Sequence, residues 1–164
     1  MGDNHSPYQL PTHYNGKRIK FRVPRTMPGE VTVPNGITGL DFPAATFLHS
    51  VELPFEVWNV KMAAAQLINS IPVADPAPGM NQFWRVRMRD ISKNQDITQA
   101  ANLVQTLIDN ESGEWFWRRP YTIERAEGFE VTVDNLLPAG GNDLRAAVNF
   151  RGFLLVLEPP SETR

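Results

Sequence analysis

His49 is the residue best placed to act as a base, because Ser50 adjoins it and Glu52 lies close by. Imidazole beside a hydroxyl suits nucleophilic catalysis, provided that the base lies within hydrogen-bond reach of the nucleophile. On an extended segment neighbouring side chains point to opposite faces, which separates His49 from Ser50. The pairs Glu111/Glu114 and Glu124/Glu127 have the residue type needed for glycoside hydrolysis. They stand beside turns, however, where carboxylates are ordinarily solvated. DNESGE at 109–114 offers oxygen ligands to calcium, but not in the spacing of an EF-hand loop. The chain has no cysteine and three histidines at unrelated spacings, His5, His13 and His49. Thiolate chemistry, disulfides and a His-rich metal site are therefore not expected. No GxxxxGK[ST], GxGxxG or GxSxG stretch occurs. No catalytic residue, cofactor or metal ligand is assigned, and the chain is expected not to be an enzyme.

The cations form clearer patterns. Arg85, Arg87 and Arg89 alternate along FWRVRMRDI, and Arg18, Lys20 and Arg22 along KRIKFRVP. Arg118 and Arg119 sit inside EWFWRRPY, among tryptophans. Arginine beside aromatic rings suits stacking on nucleic acid or sugar. It also anchors protein–protein interfaces. Sixteen basic against eighteen acidic residues give a net charge of -2, so nucleic acid is not the expected partner. These eight cations are assigned to a subunit interface. Phe55, Trp84, Trp115, Phe116, Trp117, Phe129 and Phe153 are assigned to the core.

The elements that hold these side chains are read from alternation. Phe83, Arg85, Arg87 and Arg89 share one face of a strand, and Trp84, Val86, Met88 and Asp90 the other. Phe129, Val131 and Val133 share a face of the next clear strand. RAAVNFRGFLLVLE at 145–158 reads as one long final strand bulged at Gly152. Further strands are expected at 17–24, 30–33, 46–51, 55–62, 103–108 and 114–120, and a helical turn at 63–68. Turn residues part them at Asn35-Gly36, 71–81, 109–113, Glu127-Gly128 and 138–144. About eight strands without a long helix predict an all-β, antiparallel β-sandwich of jelly-roll type.

Six of the fourteen prolines lie in the first 45 residues. Proline cannot donate to a ladder, so 1–45 is expected to be an extended arm with short strands, opening on a polar tail at 1–16. The sandwich is expected over 46–158 and a tail over 159–164. MGDNHSPYQL lacks the basic and apolar regions of a signal peptide. Gly2 and Ser6 outline a myristoylation signal, read as chance given Asp3 and His5 between them. The longest apolar runs, such as FLLVL at 153–157, are too short to span a membrane.

One further pattern spans 46–158. MRDISKNQDIT is followed by a short apolar strand, then EWFWRRPYTIERAEGFEVTVDNLL, then AAVNFRGFLLVL. This order resembles the single jelly-roll virion proteins of tailed bacteriophages. The points of likeness are an aromatic strand ending in Pro120-Tyr121, a strand closing on Asp134-Asn135, and the step Phe150-Arg151-Gly152-Phe153. FLHSVELPFEVWNV is similar to that family's paired strand around a Pro-Phe step. The resemblance implies a virion structural protein, a capsid-associated or decoration subunit assembled in the host cytoplasm. It implies a homo-oligomer that touches other virion proteins, the major capsid protein first, and it transfers no catalytic residue. The expected arm would clamp a neighbour. An alternative on the same architecture is a carbohydrate-binding module with Trp58, Trp84 or Trp117 as stacking platforms. A host-receptor-binding component of the tail is the third reading.

Overall fold

The computed structural model describes residues 10–69, 71–73, 78–98, 100–109 and 112–159. In chain order the strands are β1 (His13–Tyr14), β2 (Lys17–Val33), β3 (Leu40–Asp41), β4 (Phe55–Ile68), β5 (Ile71–Val73) and β6 (Trp84–Asp90). Then come β7 (Gln95–Asp96), β8 (Asn102–Leu103), β9 (Glu114–Ile123), β10 (Phe129–Asn135) and β11 (Asp143–Leu157). One helical turn, α1 (Val104–Leu107), follows β8, and a 3-10 turn at Pro78–Gln82 precedes β6.

The strands form two antiparallel sheets, a β-sandwich. The larger runs β1-β2-β11-β4, with β5 and β9 both paired to β4; the smaller runs β3-β10-β6, with β7 and β8 both paired to β6. The pairings nest: β2 with β11, β3 with β10, β4 with β9, and β6 with β7 and β8. A chain folded on itself as one long hairpin and then rolled gives such nesting.

Strand length differs between the sheets. β2, β4 and β11 have 17, 14 and 15 residues, whereas β6 and β10 have seven each. At 3.3 Å per residue the long strands reach about 45–55 Å and the short ones about 23 Å. The smaller sheet therefore covers only part of the larger one. Where it does, alternation gives a sealed core. Trp84, Val86 and Met88 of β6 and Val131 and Val133 of β10 are buried. They meet Val57, Val60, Val148 and Phe150 from the larger sheet. Phe129 stacks on Phe150 at 4.5 Å, and Trp117 joins both rings at 6.1 and 6.4 Å.

Of the aromatics expected in the core, Phe55, Trp84 and Phe129 are buried, and Trp115 and Trp117 pack against it partly buried. Two are not core residues. Phe116 is 59% exposed, because its neighbours in β9 take the inward positions. Phe153 is half-buried and outside the core cluster; Gly152 and Leu154, its neighbours in β11, pair with the inward Val57 and Phe55 of β4.

The N-terminal segment also differs from expectation. Residues 17–33, expected as short strands of an arm, form the single strand β2, paired with β11 from Ile19↔Leu157 to Val33↔Leu144. Among the described residues its other edge has no strand partner beyond the short β1 pairing. Pro24 and Pro28 are four residues apart and so share parity, which lets both turn their N–H-less nitrogens to that open edge. The expected polar tail likewise contains structure. Asn15 and Gly16, with φ of +47° and +75°, make a tight hairpin turn that lays β1 along β2. Residues 1–9, including Gly2, and residues 160–164 of the expected C-terminal tail lie outside the described residues.

Three local expectations are corrected. Residues 63–68 continue β4, because pairing to β11 through Ala63↔Ala147 and Leu67↔Asp143 overrides alanine's helical preference. Residues 104–107 form α1 instead of a strand, and the Thr106 hydroxyl donates to Leu103 O at 2.7 Å, a local bond that competes with a ladder. Residues 46–51 form no strand beyond the Leu48–Gly128 bridge, since Pro43 starts a turn closed by Thr46 N–H at 2.8 Å.

Candidate functional site

The arginine stripe of β6 lies on the outer face of the smaller sheet, facing acidic and hydroxyl residues of β10. Arg85, Arg87 and Arg89 stand opposite Asp134, Thr132 and Glu130. Arg87 donates to both carboxylate oxygens of Asp96, at 3.0 and 2.8 Å, and this partner raises the Arg87 pKa. Arg89 donates to Asn94 and lies 3.9 Å from Glu130. Arg87 and Arg89 are thus tied into their own sheet by ion pairs.

The other assigned cations are elsewhere. Arg18 lies 3.6 Å from Glu158, and Lys20 is exposed. Arg22 turns to the outer face of the larger sheet, where its Nε donates to the buried Glu56 at 3.0 Å and its Nη2 to Pro11 O at 2.6 Å. Arg119 is exposed on β9, and the Arg118 side chain lies outside the described residues. The stripe belongs to one sheet and the remaining cations to the other, so they do not converge.

Beyond the edge of the smaller sheet, β2 and β11 continue as a ribbon. Phe21 pairs with Val156 and Val23 with Leu154. No register shift separates these positions from Met27 and Val33, so Phe21 and Val23 lie on the face that is core further along. Here that face opens: Phe21 is 50% and Val23 39% exposed and Val156 is half-buried, while Leu154, paired with Phe55 of β4, still packs against the core. The opposite face of the ribbon is covered, with Leu155 fully buried. Tyr14 of β1 donates to Glu124, and burial together with that carboxylate pushes the phenol up to about 12.

The outer face of the larger sheet holds a depression of about 490 Å³. It forms where β4 bulges: Arg151 pairs with Asn59 but Gly152 with Val57, leaving Trp58 as the extra residue. A Cβ on Gly152 would stand 1.9 Å from Glu56 O, so this close approach requires glycine. β9 bulges against the same place, with Tyr121 opposite Val57 and Phe116 opposite Asn59. Trp58 Nε1 donates to Glu56 Oε1 at 2.8 Å, and its ring meets Phe153 edge-on at 6.4 Å. Arg151 donates to Glu114 across the site. Asn59 Oδ1 is buried with no partner among the described residues.

Asp90 and His49 are also buried polar residues. Asp90 is fully buried at the end of β6. Tyr121 donates to it, as do Ser92 Oγ at 2.6 Å and Lys93 N–H at 2.9 Å, while Lys93 Nζ lies 3.2 Å away. Burial alone would raise the Asp90 carboxyl, but these bonds outweigh it and hold the pKa at about 2. The cluster joins the two sheets, since Tyr121 belongs to β9. An aspartate at an inward position was its one signal in the sequence. His49 is also buried, beside Phe55, with Nε2 2.7 Å from Leu53 O and Nδ1 without a partner, while Ser50 is exposed.

Among the described residues no cluster of three or more His, Asp or Glu is arranged to hold a metal ion. No helix among them is long and apolar enough to cross a membrane. Neither a protein-family model, nor a curated protein, nor a solved structure matches the chain.

Proposed function

We propose that this chain is a non-enzymatic virion structural protein, a capsid-associated or decoration subunit that assembles with copies of itself and seats against the major capsid protein. The sandwich would be a jelly roll. The nested pairing of β2 with β11, β3 with β10, β4 with β9, and β6 with β7 and β8 supports that plan. Jelly rolls serve viral capsids and also lectins, so the architecture does not by itself choose a function.

The observation that favours assembly is the open face of the β2–β11 ribbon. Phe21, Val23 and Val156 continue a core face past the point where it is covered. Such an apolar strip gains stability when another surface covers it. Pro24 and Pro28 lie along the open edge of β2 and disfavour strand addition there, so the contact is made through the face. A second copy carries the same strip, and a two-fold contact would cover both at once. This assigns to the N-terminal segment the neighbour-gripping role expected of it, exercised by a rigid ribbon.

The test is solution mass by light scattering, for the chain alone and mixed with capsid shells. The reading expects a mass above one chain and cosedimentation with shells. A chain that stays monomeric and does not cosediment would remove its support.

A further inference from the structure

The depression on the outer face of the larger sheet carries an inference independent of assembly. Its volume, about 490 Å³, lies within the range of small-ligand sites. Its position is fixed by backbone, because the bulges of β4 and β9 meet there. Its aromatic wall is also fixed. The Trp58 indole is held at its nitrogen by Glu56, which Arg22 holds in turn, and Phe153 buttresses the ring.

The polar lining narrows the ligand. Asn59 Oδ1 is a buried acceptor that no described residue satisfies, and buried acceptors are ordinarily paired. The group that would satisfy it is a donor such as a hydroxyl. Arg151 and Glu114 neutralise one another, and Arg25, which also lines the site, shares the parity of the buried Met27 and so turns its side chain to the other face of the sheet; the side chains on the site's own face therefore offer little net attraction to an ion. Arg151 and Glu114 both keep spare hydrogen-bonding capacity, since a guanidinium has five donors and a carboxylate about four lone pairs. Pro24 and Thr26 of β2 line one rim. An apolar ring face beside hydroxyl-matching polar groups and no net charge fits a neutral pyranose. One face of that ring presents C–H groups to an indole, and its edge presents hydroxyls.

We propose that this depression binds a neutral glycan, one sugar ring lying on Trp58 with a hydroxyl donating to Asn59 Oδ1. Arg151 and Glu114 orient the remaining hydroxyls. Only Trp58 of the three tryptophans considered from sequence has this setting; Trp84 is fully buried and Trp117 lies against the core.

The test titrates the full chain with lactose, maltose, cellobiose and N,N′-diacetylchitobiose, with sodium glucuronate as the charged comparison, following tryptophan fluorescence. At least one neutral disaccharide is expected to saturate the signal, with a Kd of about 1 mM, as suits one shallow site. Asn59→Ala should weaken that binding roughly tenfold, while its thermal midpoint holds or rises, because an unsatisfied buried oxygen has been removed. A merely structural Asn59 would lower the midpoint and leave affinity unchanged. Trp58→Ala should abolish binding; should it fail to fold, Asn59→Ala carries the test alone. The proposal is overturned if no neutral sugar saturates up to about 50 mM, if glucuronate binds better than every neutral sugar, or if Asn59→Ala binds as tightly as the parent.

Discussion

From Met27 to Val33 the inward residues of β2 lie under Phe47 and the short strands of the smaller sheet. From Phe21 to Val23 the same alternation runs on with the second sheet no longer opposite, and the side chains are exposed. Both halves pair with β11 in one continuous register over this span. The strand pairing is therefore the same in each, and what changes is the layer above it. An apolar stripe in a strand reports a face that suits burial; the length of the opposing strands decides whether the chain buries it itself. In this molecule seven-residue strands face strands of 14 to 17, and the surplus becomes a ribbon.

Placing a charge in each half gives the largest expected contrast. Val33→Asp buries an unpaired carboxylate and should cost more than about 4 kcal/mol, enough to unfold the domain in mild denaturant. Val23→Asp in the isolated chain should change stability by no more than about 0.5 kcal/mol. Urea denaturation of the two variants at low protein concentration measures both. Similar losses would mean that the ribbon face is packed in the monomer and that the contrast is wrong.

The second effect concerns the contact that binds the sheets where the core does exist. Asp90 is held at about 2 in the fold, against an ordinary value of 3.8. A folded pKa below the unfolded one stabilises the protein above the unfolded value, and the gain is lost as pH falls from about 4 to about 2. The shift corresponds to about 2 kcal/mol at neutral pH. Asp90→Asn should lose about that much at pH 7 and flatten the acid limb of the stability curve. An unchanged acid limb in that variant would assign the pH dependence to other carboxylates.

The smallest effect belongs to the stripe. Arg87→Ala removes a paired but exposed cation and should leave the urea midpoint almost unchanged, and self-association unchanged. Loss of assembly in that variant would return the arginines to the interface.

The sequence made the covered half of the molecule legible and left the rest obscure. β6, β10 and β11 were readable because one apolar face against one polar face leaves a clean period of two; Gly152 marked the place of a bulge, but the extra residue is Trp58 of β4 and not a residue of β11. β2 reads from sequence as two short strands because Pro24 and Pro28 have the look of breaks; their shared parity matters only once the partner strand β11 is in place. Asn15-Gly16 carried a hairpin signal in plain view. The Tyr121–Asp90 bond and the seating of Trp58 on Glu56 were not readable. The first joins residues 31 apart across two sheets, and the second depends on a bulge. The stripe of Arg85, Arg87 and Arg89 was visible as a pattern, but its partners Asp96 and Glu130 come from other strands. Charge spacing alone could not show that Arg87 and Arg89 were already paired.

The account rests on the ribbon face being an assembly surface, and the most direct measurement is the solution mass of the double variant Phe21→Glu/Val23→Glu beside the parent chain. The predicted result is an oligomer for the parent and a monomer for the variant, with the same thermal midpoint measured at a concentration where both are monomeric. A parent that is monomeric at about 100 µM, with self-association weaker than any stable subunit contact, or a variant that keeps the parent's mass, would contradict it.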